Sequence, residues 1–335
     1  MGRKGILMPW PKGVSTTGSR KATDEEFLKA FQDLGSNSKV AKKFGITIRG
    51  IQLRKRALAD MGFKFDNNVD GRVAKERQKH LTEYKARLQW KIPDGIVIVG
   101  SDAHYWPGYV SAAHRGFLAL IKRLKPTAII LNGDMLDGPS ISRWPRIGWE
   151  HRPTVRQELE VVKERLDEIE ALAPNTRKAW TLGNHDARYE LRLATEVPEY
   201  EGVKGLTLKE HFPAWLPAWS VWINNDTVIK HRFKGGIYAT RNNTLNSGKS
   251  IVTGHLHSLK VSPLSDYNGT RWGVDSGTMA DVYGPQFEGY MEDNSRDWRS
   301  GFVVLTFRDG RLCWPEVVPV LDEDHIEFRT EAIRV

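Results

Sequence analysis

Residues 133–137 read Gly-Asp-Met-Leu-Asp and residues 183–186 read Gly-Asn-His-Asp, and these two segments dominate the predicted architecture. Each comes directly after a predicted strand, near 128–132 and near 178–182. Loops that follow the carboxyl ends of strands are where open α/β sheets place their functional groups. The two segments therefore predict an α/β body with a polar site at one edge of its sheet.

Three further stretches carry the same kinds of donor atom, namely Asp102-Ala-His104, His231 and Gly254-His255-Leu-His257. Together the five stretches offer oxygen and imidazole ligands and no thiolate. This mixture suits two hard-to-borderline divalent ions better than it suits a structural zinc site rich in cysteine. The sequence therefore predicts a metal centre assembled from loops that are far apart along the chain.

Strands and helices alternate from residue 95 onward, which favours a layered α/β body. Beyond about residue 225 strands dominate, and this half suits a second sheet packed against the first. The predicted elements are strands near 96–100, 128–132 and 178–182, helices over 112–124 and 153–172, and later strands over 228–231, 250–253, 270–274 and 302–307, the last followed by a turn at 308–311.

The ordered motifs Asp-x-His, Gly-Asp-x-x-Asp, Gly-Asn-His-Asp, a strand-end histidine and Gly-His-x-His resemble those of the calcineurin-like metallophosphoesterase superfamily. The resemblance covers about residues 95–310 and implies a four-layer α/β/β/α sandwich. One position departs from the pattern, because Arg232 follows His231 where many members have glycine. His211 is the competing candidate for that ligand, in a poorer motif context.

The resemblance implies two metal ions bridged by Asp134, whose carboxylate has two oxygens to share. His185 would be the histidine beside the substrate, Asp186 would hold its orientation, and Asp137 would support the site from behind the ligands. The ligands implied by the motifs are Asp102, His104 and His257 for one ion and Asn184, His231 and His255 for the other, with Asp134 common to both.

Such a centre implies hydrolysis of a phosphate ester, with a hydroxide that bridges the ions attacking phosphorus in line. His185 would give its proton to the leaving oxygen, and no covalent intermediate is needed. Manganese is the first choice for aspartate, histidine and asparagine donors, and zinc, iron, nickel and cobalt can occupy similar sites.

Positive charge is concentrated at one end of the chain. The 335 residues carry a net charge of +9, whereas residues 1–91 hold 21 of the 50 Lys and Arg and 9 of the 41 Asp and Glu, a balance of +12. The rest of the chain is therefore slightly acidic. Such asymmetry predicts a polyanion-binding segment ahead of a near-neutral body, although a merely solubilising basic arm has the same charge.

The pattern within this segment predicts a helix-turn-helix over residues 23–65. Helical apolar spacing after Thr23 is followed by Ala41, the turn residue Gly45 and the anchor Ile51. If Ile48, Ile51, Leu58 and Met61 face inward, a polar face is left for DNA. The candidate base contacts are Arg49, Gln52 and Arg56, and the candidate phosphate contacts are Lys42, Lys43, Arg54 and Lys55. A structural three-helix module with a solvated basic face is the alternative.

The predicted domain order is a flexible basic lead over residues 1–22, the helix-turn-helix over 23–65, a basic helical linker over 66–94 and the phosphoesterase domain over 95–335. The single cysteine, Cys313, excludes a disulfide within the chain and fits a reducing compartment. No apolar run approaches the roughly 18 residues of a membrane span. A soluble, cytoplasmic protein without a membrane partner is expected, and the build resembles phosphoesterases that bacteriophages produce in their hosts.

Two features bear on the substrate. The loop over residues 140–152 interleaves tryptophans with Arg143 and Arg146, which can stack bases and hold a phosphodiester backbone, or can simply pack on the body. Arg188 is a further candidate phosphate contact. With the basic segment, these residues favour a DNA-directed phosphodiesterase or nuclease. The alternatives are a phosphomonoesterase localised by the basic module and a DNA-binding regulator with an inactive phosphoesterase body.

Overall fold

The structure is a computed structural model that describes residues 22–34, 36–60, 84–146, 148–288 and 296–335. The chain divides into two units, residues 1–83 and residues 84–335. None of the helices within the described ranges is long and apolar enough to cross a membrane.

The described residues of the first unit, 22–34 and 36–60, form three helices: α1 (Asp24–Leu34), α2 (Asn37–Phe44) and α3 (Ile48–Asp60). Thr23 caps α1, because its Oγ1 accepts from the N–H of Glu26 and its own N–H donates to the Glu26 carboxylate. Gly45 ends α2 in the left-handed region at φ 60°. Thr47 caps α3 through the N–H of Gly50. The structure therefore has helices in the segment where the sequence predicts a helix-turn-helix, and the assignment of that motif stays a prediction.

The core of this unit differs from the prediction at two positions. Ile51 and Leu58 are buried as expected, whereas Ile48 is 48% exposed because it opens the first turn of α3. Arg54, predicted to contact phosphate, lies inside the unit. Its guanidinium donates to the Asp24 carboxylate at 2.6 Å and to the Ala22 carbonyl, so it stabilises this unit instead. Met61 and the predicted helix over 66–83 lie outside the described residues.

The second unit is built on two large sheets. The first has the strand order β12-β11-β2-β3-β4-β5 with β13 beside β11, the second has the order β1-β6-β7-β8-β10-β9, and β14 and β15 form a hairpin. In chain order the strands are β1 (Leu88–Trp90), β2 (Gly95–Gly100), β3 (Ala128–Leu131), β4 (Arg177–Thr181), β5 (Leu216–Ala218), β6 (Val221–Ile223), β7 (Thr227–Ile229), β8 (Ser250–Thr253), β9 (Lys260–Asp266), β10 (Gly269–Asp275), β11 (Gly301–Arg308), β12 (Arg311–Leu312), β13 (Glu316–Pro319), β14 (His325–Phe328) and β15 (Glu331–Arg334).

The helices of this unit cover the outer faces of the sheets. Within residues 84–146, 148–288 and 296–335 they are α4 (Ala112–Leu124), α5 (Val155–Leu172), α6 (Asp186–Glu196), α7 (Leu208–His211) and α8 (Ala239–Ser247), with short 3-10 helices at Pro139–Ile141 and Pro198–Tyr200. Ser111 caps α4, and Thr154 forms a capping box with Gln157 at the start of α5.

Side-chain alternation along the strands produces four layers. In β2, Val97 and Val99 face the second sheet and pack with Val252 of β8, whereas Ile98 faces Phe117 of α4. On the far side α8 lies against β10, so close that a Cβ at Gly273 would stand 2.1 Å from a backbone oxygen of α8. The layers are helices, sheet, sheet and helix, which confirms the predicted α/β/β/α sandwich.

Two elements of the structure differ from the prediction. The basic stretch ending near residue 90 was expected to be helical, yet Leu88–Trp90 is a strand that pairs in parallel with Val221–Ile223, because the buried edge of the second sheet outweighs local composition. The strand Gly301–Arg308, expected in a second sheet, lies antiparallel to β2 in the first. Its apolar side chains alternate between the same two cores as those of β2.

Candidate metal centre

The candidate site lies where parallel strands of both sheets end. In the first sheet β2, β3 and β4 are parallel neighbours, and the loops after them carry Asp102, Asp134 and His185. In the second sheet β7 and β8 are parallel, and His231 and His255 follow them. Because the two sheets face each other, donors from both reach one place.

Three groups of residues lie here, and within each group the candidate ligand atoms are within 4.8 Å of one another. Asp134 and His104 each belong to two groups, and of the two only Asp134 has a pair of carboxylate oxygens to share between ions. Six of the seven predicted metal ligands take part, and His185 lies beside them. The groups are Asp102, His104 and His257; His104, Asp134 and His185; and Asp134, His231 and His255.

The chemistry of these donors fits divalent ions. Three of their atoms are buried without a hydrogen-bond partner among the described residues: Nε2 of His104, Oδ1 of Asn184 and Nδ1 of His257. Nε2 of His231 is buried as well and lies 2.9 Å from Oδ2 of Asp134. A buried polar atom without a partner is costly, typically by about 1–3 kcal/mol. Three such atoms near two carboxylates are explained if cations receive their lone pairs. Asn184, the seventh predicted ligand, thus also directs an oxygen into a buried environment.

The backbone at these residues is strained in a consistent way. Asp102, His104, Asp134, His255 and His257 all have positive φ, between 40° and 72°. Such conformations are uncommon for residues with a Cβ, and cluster at functional sites where surrounding structure holds them. Here backbone hydrogen bonds join the first two loops, from the N–H of Asp102 to the Gly133 carbonyl and from the N–H of His104 to the Asp134 carbonyl.

Two motif glycines are required by close approach to the carboxylates. A Cβ at Gly183 would stand 1.9 Å from Oδ1 of Asp134, and one at Gly254 would stand 2.5 Å from Oδ2 of Asp102. Any side chain at either position would push a candidate ligand out of place. The glycines that open these motifs are therefore part of the site's geometry.

Asp186 does not hold the ring of His185, contrary to the prediction. Its carboxylate accepts from the backbone N–H groups of Asp134 at 2.8 Å, of Met135 at 2.9 Å and of Gly183 at 2.9 Å, and from the Trp180 indole. Asp186 begins α6, and its side chain turns back toward the β3 loop rather than toward the preceding residue. It fixes the loop that carries Asp134.

Asp137 is the carboxylate that contacts the histidines. Its Oδ1 lies 2.9 Å from Nδ1 of His104 and 3.2 Å from Nδ1 of His185. Although burial raises the pKa of Asp137, hydrogen bonds with these two histidines hold it well below its usual range. The predicted supporting role agrees with this position, and Asp137 also takes the orienting role that was expected of Asp186.

His185 is half-buried and faces the candidate centre. Its Nδ1 lies 2.7 Å from the Asp137 carbonyl oxygen, and Nε2 accepts from the Arg188 guanidinium at 3.2 Å. This arrangement requires the proton on Nδ1 when the ring is neutral. Burial lowers the pKa of His185, but the charges of Asp134 and Asp137 outweigh it and raise the pKa above its usual value.

The carboxylates at the centre are ionised despite their burial. Burial raises the pKa of Asp134, yet the charges of His231 and His185 hold it well below its usual range. The pKa of His231 is raised to about 10: burial lowers it, but the negative charges of Asp134 and Asp102 outweigh that effect. Without an ion, a proton at His231 offsets the carboxylate charge, and a bound cation would take the place of that proton.

The remaining predicted site residues lie in different surroundings. Arg188 also donates to the Asp137 carbonyl at 2.9 Å and so lies at the site. Arg143 and Arg146 are exposed on the loop over 140–152, where Trp144 and Trp149 are 64% and 103% exposed rather than packed on the body. His211 contacts Gly205 and lies apart from the donor groups.

In the first unit the candidate DNA contacts remain predictions. Arg49, Gln52, Arg56, Lys42 and Lys43 are exposed on α2 and α3. Lys55 is half-buried over the Phe31 ring, with 5.0 Å between Nζ and the ring centroid.

Several residues at the site were not predicted from the sequence. Phe287 and Trp298 pack against the His257 ring at centroid distances of 5.4 and 4.6 Å, although neither belongs to a motif. Glu158, inside α5, accepts from the N–H groups of Asp137 and Gly138. A charged residue on the buried face of an amphipathic helix was the only available signal for Glu158.

Comparison with known proteins agrees with this geometry. Residues 96–259 match the family model of the calcineurin-like phosphoesterases. The Gene 54 protein of Mycobacterium phage L5 is 25% identical over 234 residues, which cover 62% of this chain and 87% of that protein. Its counterpart in Mycobacterium phage D29 is 26% identical over 235 residues, with the same coverage of 62% and 87%.

Solved structures with a similar chain include Vps29 from Entamoeba histolytica complexed with zinc, with 16% identity, coverage of 72% of this chain and 98% of that one, and a TM-score of 0.39. Yfce, a phosphoesterase from E. coli, has 17% identity, coverage of 66% and 97%, and a TM-score of 0.30.

Proposed function

This chain carries a calcineurin-like phosphoesterase domain, and on that premise we propose that it is a DNA-directed phosphodiesterase that uses two metal ions. The observation that carries the proposal is the set of overlapping donor groups around Asp102 and Asp134, with His185 beside them. Asp102, His104 and His257 would hold one ion and Asn184, His231 and His255 the other, with Asp134 between them. Manganese is the ion we expect from these donors.

Two bound ions would supply Lewis acidity toward the phosphoryl oxygens and a hydroxide at neutral pH. The chain's own residues supply the rest. His185 is held by Asp137, with Nε2 directed to Arg188. A bound phosphate offers Arg188 a stronger acceptor than an imidazole nitrogen, so substrate would draw the guanidinium away. Nε2 is then free to hold a proton and pass it to the leaving oxygen.

DNA is the proposed substrate because two exposed features suit it. The loop over 140–152 presents Trp144 and Trp149, and the Arg143 guanidinium lies 5.1 Å from the Trp144 ring centroid. Flat rings beside guanidinium groups bind single-stranded nucleic acid with little sequence preference. Arg152 supports the loop by donating to the Pro139 and Trp144 carbonyls. The exposed basic residues of α2 and α3 are the second feature.

The reaction class is tested with matched substrates. Bis-p-nitrophenyl phosphate and p-nitrophenyl phosphate distinguish diesterase from monoesterase, and single- and double-stranded DNA are compared in parallel. His185→Ala should lower kcat on DNA by about 10²–10⁴-fold, the usual contribution of a general acid. Metal content should be retained, and His325→Ala, on the hairpin of β14, serves as the histidine control.

Hydrolysis of monoesters only, by protein with its full metal content, would overturn the proposal in favour of a phosphomonoesterase. A folded protein that binds neither manganese nor zinc would instead favour a DNA-binding regulator with an inactive body.

A further inference from the structure

A cavity of about 540 Å³ opens beside the His231 and His255 half of the candidate centre. Its wall includes Lys230, Arg232 and Lys234, with the rings of Phe233 and Trp219. Its size is within the range of pockets that enclose a nucleotide-sized ligand. No role has yet been given to this cavity or to its three cations.

The cavity wall is strongly positive. Its three cations alternate with His231 and Phe233 along the segment after β7, and no acidic side chain of the described residues lines it. Lys230 is half-buried, with Nζ 5.0 Å from the Phe233 ring centroid, and Lys234 donates to the amide oxygen of Asn246. None of the three has a carboxylate within ion-pair distance in the described ranges.

Lys230 is half-buried, whereas Arg232 and Lys234 are exposed, so the three cations are accessible to a ligand from solvent. A surface that gathers charge of one sign attracts ligands of the opposite charge. Metal ions at the adjoining centre would add further positive charge. Arg232 also stands where the superfamily motif often has glycine, so the charge belongs to this chain's own surface. A ligand with an anionic group beside the reacting phosphate would be attracted to these cations.

We propose that this cavity binds the phosphate next to the scissile one in a nucleic-acid strand, with Lys230, Arg232 and Lys234 as its contacts. The inference rests on the proposed phosphodiesterase function and deepens it. Arg232 offers a paired donor face for a phosphate, whereas the two lysines act as point charges. Phe233, 43% exposed, and Trp219 give the intervening nucleoside an apolar wall.

The test compares substrates that differ only in the second phosphate. We use p-nitrophenyl esters of thymidine 5′-phosphate and of thymidine 3′-phosphate, each with and without a phosphate on the other sugar hydroxyl. The measured quantity is the ratio of kcat/KM with the second phosphate to kcat/KM without it. In Arg232→Gln this ratio should fall about tenfold in at least one of the two series. The reason is that hydrogen bonds to charged groups contribute about 1.5–3 kcal/mol. Lys234→Gln is the second variant. Arg177→Gln, exposed at the amino end of β4, is the control and should leave the ratio unchanged.

A ratio equal to that of the unaltered protein in both variants, with all four esters cleaved, overturns the inference and leaves the diesterase function standing. If the unaltered protein cleaves none of the esters, the diesterase function fails instead. Calorimetric titration with thymidine 3′,5′-bisphosphate and thymidine 5′-monophosphate then decides the inference without turnover. Arg232→Gln should weaken binding of the bisphosphate more than that of the monophosphate, and equal weakening overturns the proposal.

Discussion

The carboxylate of Asp186 accepts a 2.8 Å hydrogen bond from the backbone N–H of Asp134, although the two residues are far apart in the chain. The same carboxylate accepts from Met135, Gly183 and the Trp180 indole. It thereby joins the loop after β3 to the start of α6. Asp134, the shared candidate ligand, and His185, the candidate general acid, therefore lie on two loops that the buried Asp186 side chain holds together.

Asp186→Asn should weaken this connection. The asparagine amide has one oxygen and one NH₂ group, so some of the N–H groups that now donate to the carboxylate would face the NH₂ group instead. Unsatisfied buried groups cost about 1–3 kcal/mol each. We expect a loss of about 3 kcal/mol in the free energy of unfolding and a lower metal content. Urea denaturation and elemental analysis measure the two effects. Asp167→Asn, exposed on α5, is the control, and an unchanged metal content in Asp186→Asn would contradict the assigned role.

The roles of Asp186 and Asp137 show where sequence reasoning reaches its limit. Motif order placed both carboxylates at the candidate site, and both contact residues of the donor groups. It assigned the orienting contact with His185 to the adjacent residue, because sequence neighbours are the simplest partners to infer. Side-chain direction depends on the helix that begins at Asp186 and on a loop about fifty residues away. Such contacts between loops are fixed only by the assembled fold.

Asp137→Asn should loosen the histidines without emptying the site. The asparagine oxygen can still accept from Nδ1 of His104, but the negative charge that supports His104 and His185 is lost. Changes of this kind behind a metal ligand typically cost about 10–100-fold in metal affinity. Titration with Mn²⁺ after removal of bound metal measures the change. Affinity equal to that of the unaltered protein would contradict the supporting role of Asp137.

Glu158 gives a prediction on pH. Burial raises its pKa to about 7 from the usual 4.5, even though two backbone N–H groups favour the charged form. Because the folded pKa is raised, the unfolded chain releases the proton first. Stability contributed by the protonated carboxyl is therefore present below about pH 4.5 and is lost as the pH rises toward 7.

Glu158→Gln should remove that dependence. Both backbone N–H groups donate to Oε1, and the amide oxygen can keep both bonds. Relative to the unaltered protein, the variant should be about equally stable at pH 4.5 and gain up to about 3 kcal/mol at pH 8. Urea denaturation in the presence of a chelator measures the difference at each pH. A constant difference across this range would exclude the titration of Glu158 as its cause.

The fold itself was largely predictable, for a physical reason. Strands β2, β3 and β8 are apolar runs buried on both faces, and the amphipathic period of α4 was recognised with its observed bounds, Ala112–Leu124. The strand Leu88–Trp90 was missed because its neighbours are basic and helix-forming. This segment forms a strand because it pairs with Val221–Ile223, which lies more than a hundred residues away in the chain. Local propensity carries no information on such pairing.

Trp149→Ala should weaken binding of single-stranded DNA without affecting folding. The side chain is fully exposed, so its removal leaves no cavity. Stacking of one base on an aromatic ring contributes about 1–3 kcal/mol, which predicts a loss of roughly 5–150-fold in affinity. Fluorescence anisotropy with a labelled oligonucleotide measures it, and Tyr267→Ala, also fully exposed, is the control. Equal losses in the two variants would mean that the loop does not contact the strand.

The N-terminal unit offers a contrast between two kinds of arginine on one helix. Arg49 and Arg56 are exposed on α3, whereas Arg54 is buried against Asp24. If the exposed pair contacts base edges, Arg49→Gln with Arg56→Gln should weaken binding to the preferred DNA sequence by about 1–3 kcal/mol for each lost paired contact. Arg54→Gln should instead lower the melting temperature of this unit. If DNA affinity and its salt dependence are unchanged in the double variant, and also after removal of residues 1–66, the basic face has no role in binding.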